Sequence, residues 1–337
     1  MKKYIHIHIL TAITILASCA KSEVNYEPSG QVTLAPVKGN VTKAAGKEGE
    51  LDHAQELSIW AEWTHDGNTE MYIPGDPFKY NGTYNAWAGK TGSYPWPLHG
   101  TLSISGYTIP TATCYPGYQS PNTDNVLFTF TEYTNDEFDL CWFGRVDGVN
   151  NRLSGDEVEV DLYHALSWIT IKAYGEGTPV GKWKINSLTL ENAITTGNAI
   201  CSGSTGKATW EAQPIYDKTN TDLVIDDGIN NYTIGDNLAH TIQAPTVDGE
   251  TKTGALLTDN IIIPQLPVNL IINYSYQVGT ETRTDSKKVS LKLDKDNETK
   301  WVSGVHYTYT LVFKSSEILV APSFGAWGTE NQNITVE

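Results

Sequence analysis

Of eight histidines, His6 and His8 fall in the N-terminal apolar run read below as a signal peptide; His53, His65, His99, His164, His240 and His306 remain, with no His-x-x-x-His or His-Glu pair among them. Spacing therefore predicts neither a zinc site nor a general base, and each ring is expected on a surface or in a sheet. Oxygen ligands gather at Asp66-Gly67-Asn68-Thr69-Glu70 and at Asp294-Lys295-Asp296-Asn297-Glu298. Neither group has the full calcium loop with its closing bidentate Glu, and acidic turns account for both. Ser202-Gly203-Ser204-Thr205-Gly206-Lys207 resembles the end of a phosphate loop, but Cys201 stands where the first glycine belongs and Ala208 where Ser or Thr belongs. A β-hairpin is the expectation there. Ser202 also occupies the first glycine position of a Gly-x-Ser-x-Gly elbow, so no nucleophile is read. No carboxylate pair is assigned as a glycosidase acid and base, and no enzyme activity, metal or cofactor is expected.

Ten tryptophans and eighteen tyrosines are enough to supply stacking surfaces as well as a core. Tyr80, Tyr84, Trp87, Tyr94 and Trp96 fall in a loop-rich stretch, where exposed rings would stack on sugars or bind a partner protein. The plainer reading places them in a sandwich core. Cys114, Cys141 and Cys201 have no CxxC spacing and are expected as small buried hydrophobes.

The elements that position these groups are strands. Segments 57–63, 102–104, 158–162 and 289–293 alternate apolar with polar, as a sheet with one wet face requires. Segments 261–263, 270–272 and 311–313 are continuously apolar and read as more buried. Turn signals separate them: Asp66-Gly67, Pro74-Gly75-Asp76-Pro77, Asn81-Gly82, Asp147-Gly148, Asp227-Gly228 and Asp248-Gly249. No long helical period is found. The chain reads as all-β, and its 337 residues fit two sandwiches divided between Gly148 and Glu157.

Lys2 and Lys3 precede an apolar run, residues 5–16, that is too short to span a bilayer. It ends in Leu16-Ala17-Ser18-Cys19, which resembles a bacterial lipoprotein lipobox and implies cleavage before Cys19 and lipid on that cysteine. A net charge of −16 argues against nucleic acid or an anionic membrane surface as partner. Gln31-Val32-Thr33-Leu34-Ala35-Pro36-Val37 reads as an extended strand, whereas Lys38, Lys43 and Lys47 follow among Gly, Ala, Asn and Thr as an exposed tether.

Several separated motifs agree with one family. Tyr94-Pro95-Trp96-Pro97 leads into Leu102-Ser103-Ile104-Ser105-Gly106-Tyr107. His164-Ala165-Leu166-Ser167-Trp168-Ile169-Thr170 follows, and Trp301-Val302-Ser303-Gly304-Val305-His306-Tyr307 and Trp327 close the pattern. In this order they resemble the fimbrillin-like subunits of type V pili from anaerobic Gram-negative bacteria. The resemblance implies two tandem transthyretin-like β-sandwiches, with a signal peptide at 1–18, a first strand and cleavable leash at 19–50, sandwiches at 51–152 and 153–316, and a donor segment at 317–337. It further implies an outer-membrane lipoprotein precursor whose first strand a trypsin-like protease removes, so that another pilus subunit fills the groove. Val32, Leu34 and Val37 would be the displaced residues; Ile318, Val320, Phe324, Ile334 and Val336 would be the donated ones. Family members are often cut after arginine, yet the first arginine is Arg145; either a protease accepting lysine cuts at Lys43, the candidate cleavage site, or the subunit keeps its first strand as an anchor would. The rival expectation is a monomeric surface lipoprotein binding a glycan or host protein through Trp87, Tyr94 and Trp96.

Overall fold

A computed structural model describes residues 30–35, 53–83, 85–110, 114–119, 126–135, 139–151, 156–202, 206–212, 215–216, 225–226, 229–292, 300–315, 317–326 and 332–333. Among these residues the chain is all-β, with 24 strands numbered β1 to β24 in chain order. A six-stranded antiparallel sheet has the order β3 (Ala86–Gly89), β2 (Asn68–Asn81), β1 (Glu56–His65), β4 (Thr101–Thr108), β7 (Cys141–Val149), β8 (Tyr163–His164). Contrary to the alternation rule, both its faces are covered. Leu57, Ile59 and Ala61 of β1 join one core cluster with Phe78, Ile104 and Phe143, while Trp60 packs on the other face against a cluster holding Phe128, Phe130 and Trp142. The polar residues of the second face are buried with it: Ser58, Glu62, Ser103 and Ser105.

That second face is roofed by a four-stranded sheet of order β12 (Lys207–Ala212), β11 (Thr196–Ser202), β6 (Val126–Thr134), β5 (Tyr115–Tyr118). β11 and β12 form the hairpin expected over 202–207. Because β5 and β6 precede residue 148 and β11 and β12 follow residue 157, this sheet crosses the division expected between the two sandwiches.

The remaining strands build a two-sheet sandwich. One sheet runs β15 (Ile229–Gly235), β10 (Trp183–Ile194), β20 (Asn269–Val278), β21 (Glu281–Ser290), with β16 (His240–Thr241) also on β10. The other runs β19 (Ala255–Ile262), β9 (Ser167–Gly175), β22 (Val305–Phe313), β23 (Ile318–Ala326), β24 (Gln332–Asn333), with β9 and β22 parallel. Ile169, Ile171, Leu188, Leu190, Ile272 and Tyr309 fill the space between them. Short pairs β13 (Ile215–Tyr216) with β14 (Ile225–Asp226), and β17 (Thr246–Asp248) with β18 (Thr251–Thr253), lie outside these sheets.

Two sequence expectations are corrected by the packing. The turn expected at Pro74-Gly75-Asp76-Pro77 is an interruption within β2, where the register against β1 shifts at Ile59/Trp60. Gly75 has φ 86°, and a Cβ there would lie 2.5 Å from the Trp60 ring, so glycine lets the strand pass over the indole without ending. Residues 158–162, expected as a strand, form no ladder; Val158 makes one bridge, and Val158, Val160 and Leu162 still face the core alternately.

Candidate functional site

The six-stranded sheet has one face that its own strands cannot close. Residues 30–35 close it, lying between the 86–96 stretch on one side and residue 158 on the other. Val32 N–H donates to the Tyr94 carbonyl at 2.7 Å, Leu34 and Trp87 exchange N–H and C=O bonds at 3.0 Å, and Trp96 N–H donates to the Gly30 carbonyl at 3.1 Å. On the other side Ala35 N–H donates to the Val158 carbonyl at 2.9 Å and Val158 N–H to the Thr33 carbonyl at 2.8 Å. The segment is thus antiparallel to one neighbour and parallel to the other. Period two turns Val32 and Leu34 inward, 1% and 0% exposed, onto Trp87, Trp96, Leu57 and Phe143.

The magnitudes describe a segment held near balance. Burying Val32 and Leu34 contributes about 2 kcal/mol each and the six backbone bonds about 1 kcal/mol each, together about 10 kcal/mol. Ordering six residues costs about 9 kcal/mol at about 1.5 kcal/mol per residue. A strand so held stays in place mainly because its chain is attached.

Aromatic side chains form the walls of this groove. Trp87 and Trp96 are 0% and 2% exposed, and Tyr94 is half-buried with its ring stacked parallel to Phe78 at 6.0 Å. Tyr72 donates its hydroxyl to the Pro95 carbonyl, and His53 stacks on Tyr80 at 3.4 Å. The expectation of exposed rings at Trp87, Tyr94 and Trp96 is therefore corrected: the open sheet face needs these rings as its apolar lining, and residues 30–35 cover them.

At the other end of the chain, β23 pairs with β22 from Phe313↔Ile318 to Val305↔Ala326. Ile318 belongs to the core of its own sandwich and Val320 packs against it, whereas Phe324 is 36% exposed and touches the Tyr307 ring. Of the candidate donor residues, Ile318 and Val320 are thus engaged within their own sheet. Cys19, Val37, Lys43, Ile334 and Val336 lie outside the described residues.

Two polar clusters escape sequence spacing because distant strands assemble them. Asp139, Cys141 and His164 meet where β7 pairs with β8. Both carboxylate oxygens lie 3.0 to 3.1 Å from His164 Nδ1, and Cys141 Sγ lies 3.5 Å from that same nitrogen. A nucleophile–base–orienter relay needs the thiol and the acid on opposite ring nitrogens. Burial, then Asp139, also push the Cys141 thiol well above its ordinary value, so it is a packed group and not a nucleophile. Cys114, Cys141 and Cys201 are free thiols. The second cluster joins His65, Asp66 and His99 at the end of the β1–β2 hairpin.

On the outer face of the β9–β22 pair, His306 stacks on Trp168 at 3.8 Å and contacts Thr170 Oγ1 through Nε2 at 2.7 Å. Thr170 and Trp168 Nε1 both donate to Asp259 Oδ1. With its hydroxyl hydrogen spent on Asp259, Thr170 accepts from His306 Nε2–H. Burial pushes the imidazole down to about 4, which keeps it neutral in this chain of bonds.

The family model described as fimbrillin-like matches residues 42–327. No curated protein matches the chain. Among solved structures, a fimbrial protein from Bacteroides vulgatus aligns with a TM-score of 0.53 at 20% identity, over 80% of this chain and 92% of that one. A candidate cell adhesion protein from Bacteroides uniformis aligns with a TM-score of 0.51 at 14% identity, over 88% of this chain and 98% of that one.

Proposed function

The chain belongs to the fimbrillin-like family, and on that premise we propose that it is a structural, non-enzymatic subunit of a cell-surface fimbria, acting in adhesion and joined to other subunits by strand exchange. The observation that carries this reading is the closure of the sheet face by residues 30–35. Its six backbone bonds and two inward side chains hold it about as strongly as its ordering costs. Once the leash is cut, mass action no longer favours the original strand, and the exposed backbone and Trp87–Trp96 lining accept another extended segment.

The incoming segment must offer two inward apolar residues separated by one. Val32-Thr33-Leu34 has that form, and so does Ile334-Thr335-Val336. β23 is engaged along nine pairs in its own sandwich, whereas β24 adds only two, so residues 327–337 of the neighbouring subunit are the part assigned to donation. Lys43 is the bond cut by a trypsin-like protease, and lipid on Cys19 holds the precursor at the outer membrane before cleavage.

The test uses the chain beginning at Cys19, treated with trypsin under native conditions and followed by size-exclusion chromatography and unheated denaturing gels. Cleavage in the leash should yield a ladder of multimers, and both the combined Lys38→Ala, Lys43→Ala and Lys47→Ala changes and removal of residues 327–337 should abolish it. Multimers that persist without residues 327–337 would exclude the exchange joint proposed here.

A further inference from the structure

The far end of the β1–β2 hairpin carries a group of nitrogen and oxygen donors that the assembly reading does not use. His65 pairs with Asn68 across a two-residue loop in which Asp66 and Gly67 have φ 48° and 79°, the mirror-image turn that matches strand twist. The chain before β4 folds against this turn. Trp63 Nε1 donates to the His99 carbonyl at 2.8 Å. Gly100 (φ 76°) lies so close to β1 that a Cβ would stand 2.3 Å from the Thr64 carbonyl oxygen. These contacts set the His99 ring 5.6 Å from the His65 ring, with Trp63 stacked on His65 at 3.7 Å.

The polarity of the group is specific. Glu70 Oε1 lies 3.3 Å from His65 Nε2 and accepts its hydrogen, which leaves the Nδ1 lone pair on the opposite side of the ring. That Nδ1 is buried and has no hydrogen-bond partner. It faces Asp66 Oδ2 at 3.7 Å, and His99 Nε2 faces the same oxygen at 3.9 Å. The three donor atoms all lie within 4.8 Å of one another. A buried lone pair directed at a carboxylate oxygen is unfavourable unless a proton or a metal cation stands between them. A carboxylate on the far nitrogen of a histidine is the usual support of a metal-bound imidazole.

We propose that His65 Nδ1, Asp66 and His99 Nε2 form a surface site for a divalent transition cation of the Zn2+ type, with Glu70 orienting His65. Bonds of about 2.0–2.2 Å to such an ion place neighbouring ligand atoms roughly 3.3 Å apart. The two separations to Asp66 Oδ2 need to close by about 0.5 Å and the nitrogen–nitrogen separation, within 4.8 Å, by at most about 1.5 Å, and Asp66 and His99 are exposed enough to move that far. Two imidazoles and one carboxylate favour Zn2+, Ni2+ or Cu2+ over calcium, which takes six to eight oxygens. Three protein ligands leave a coordination position open to water or to a donor from another chain.

The experiment is calorimetric titration of the tag-free chain from Cys19 with ZnCl2 and, separately, CaCl2. One equivalent of Zn2+ should bind and calcium should not. His99→Gln and Asp66→Asn should each weaken Zn2+ binding at least tenfold; asparagine tolerates the left-handed turn, so the metal-free melting temperature should stay unchanged. Glu70→Gln should weaken it by about tenfold while removing no ligand. Absence of a one-to-one Zn2+ event, equal binding of calcium, or an affinity unaffected by His99→Gln would overturn the proposal.

Discussion

Leu34→Ala tests how residues 30–35 are held. Leu34 is fully buried, and its backbone exchanges two hydrogen bonds with Trp87. Truncating such a leucine costs about 3 kcal/mol through lost contacts and the space left behind. Because the segment stands near balance on its own, this cost falls on its local release and not on unfolding of the whole chain. At about 1.4 kcal/mol per factor of ten the release equilibrium moves roughly a hundredfold, which carries a segment held by about 1 kcal/mol from mostly seated to mostly released. Amide hydrogen exchange reads this directly. The N–H groups of Trp87, Trp96 and Val158 that donate to the segment should lose nearly all their remaining protection, exchanging roughly sixfold faster and close to the rate of unprotected amides, while amides in the β10–β20 ladder keep their rates. Thr33→Ala, which leaves both inward side chains in place, should change them little. Equal acceleration in β10 and β20, or unchanged exchange at Trp87 and Val158, would refute the idea of a separately releasable strand.

His306 gives the fold a dependence on pH. Its pKa falls from 6.5 to about 4 on folding, so the unfolded chain takes up the proton first; the stability tied to the neutral ring is complete above pH 6.5 and is lost as pH falls toward 4. The shift corresponds to about 3 kcal/mol, reduced to about 2 kcal/mol because the ring is partly exposed. His306→Phe, which keeps a ring on Trp168, should flatten the difference between urea midpoints at pH 7 and pH 4.5. Arg145 lies 3.1 Å from the nearly buried Glu62, which Tyr118 also contacts at 3.1 Å. Arg145→Met should cost about 3 kcal/mol in urea denaturation by leaving a buried carboxylate unpaired, and adding Glu62→Gln should recover most of it.

What the sequence made legible was local. The Asp66-Gly67 hairpin turn, the hairpin across 202–207 and the inward pair Val32 and Leu34 all follow from turn chemistry or period two. Burial of the second face of the β1 sheet was not legible, since nothing in Ser58-Ile59-Trp60-Ala61-Glu62 announces that β6 and β11 will cover its polar side. The aromatics of 80–96 were ambiguous for a related reason: a ring lining a groove and a ring stacking on a ligand leave the same sequence pattern. His65 and His99 are brought together by a glycine-permitted approach at residue 100, a tertiary event that no ligand-spacing rule reads.

The sheet that crosses the middle of the chain also sets the order of events in biosynthesis. Glu132 N–H bonds the Asn198 side chain 66 positions later, and β6 has β11 as its partner on one side. While residues 196–212 are still on the ribosome, that edge of β6 is unpaired and Phe128 and Phe130 lack their cover. The entropy of closing that loop is spent before any of its pairing is gained, and the β9–β22 pairing closes a longer one still, with Thr170 and His306 136 positions apart. A chain ending near residue 150 would present that strand edge and its apolar face unpaired, a template for pairing with another chain.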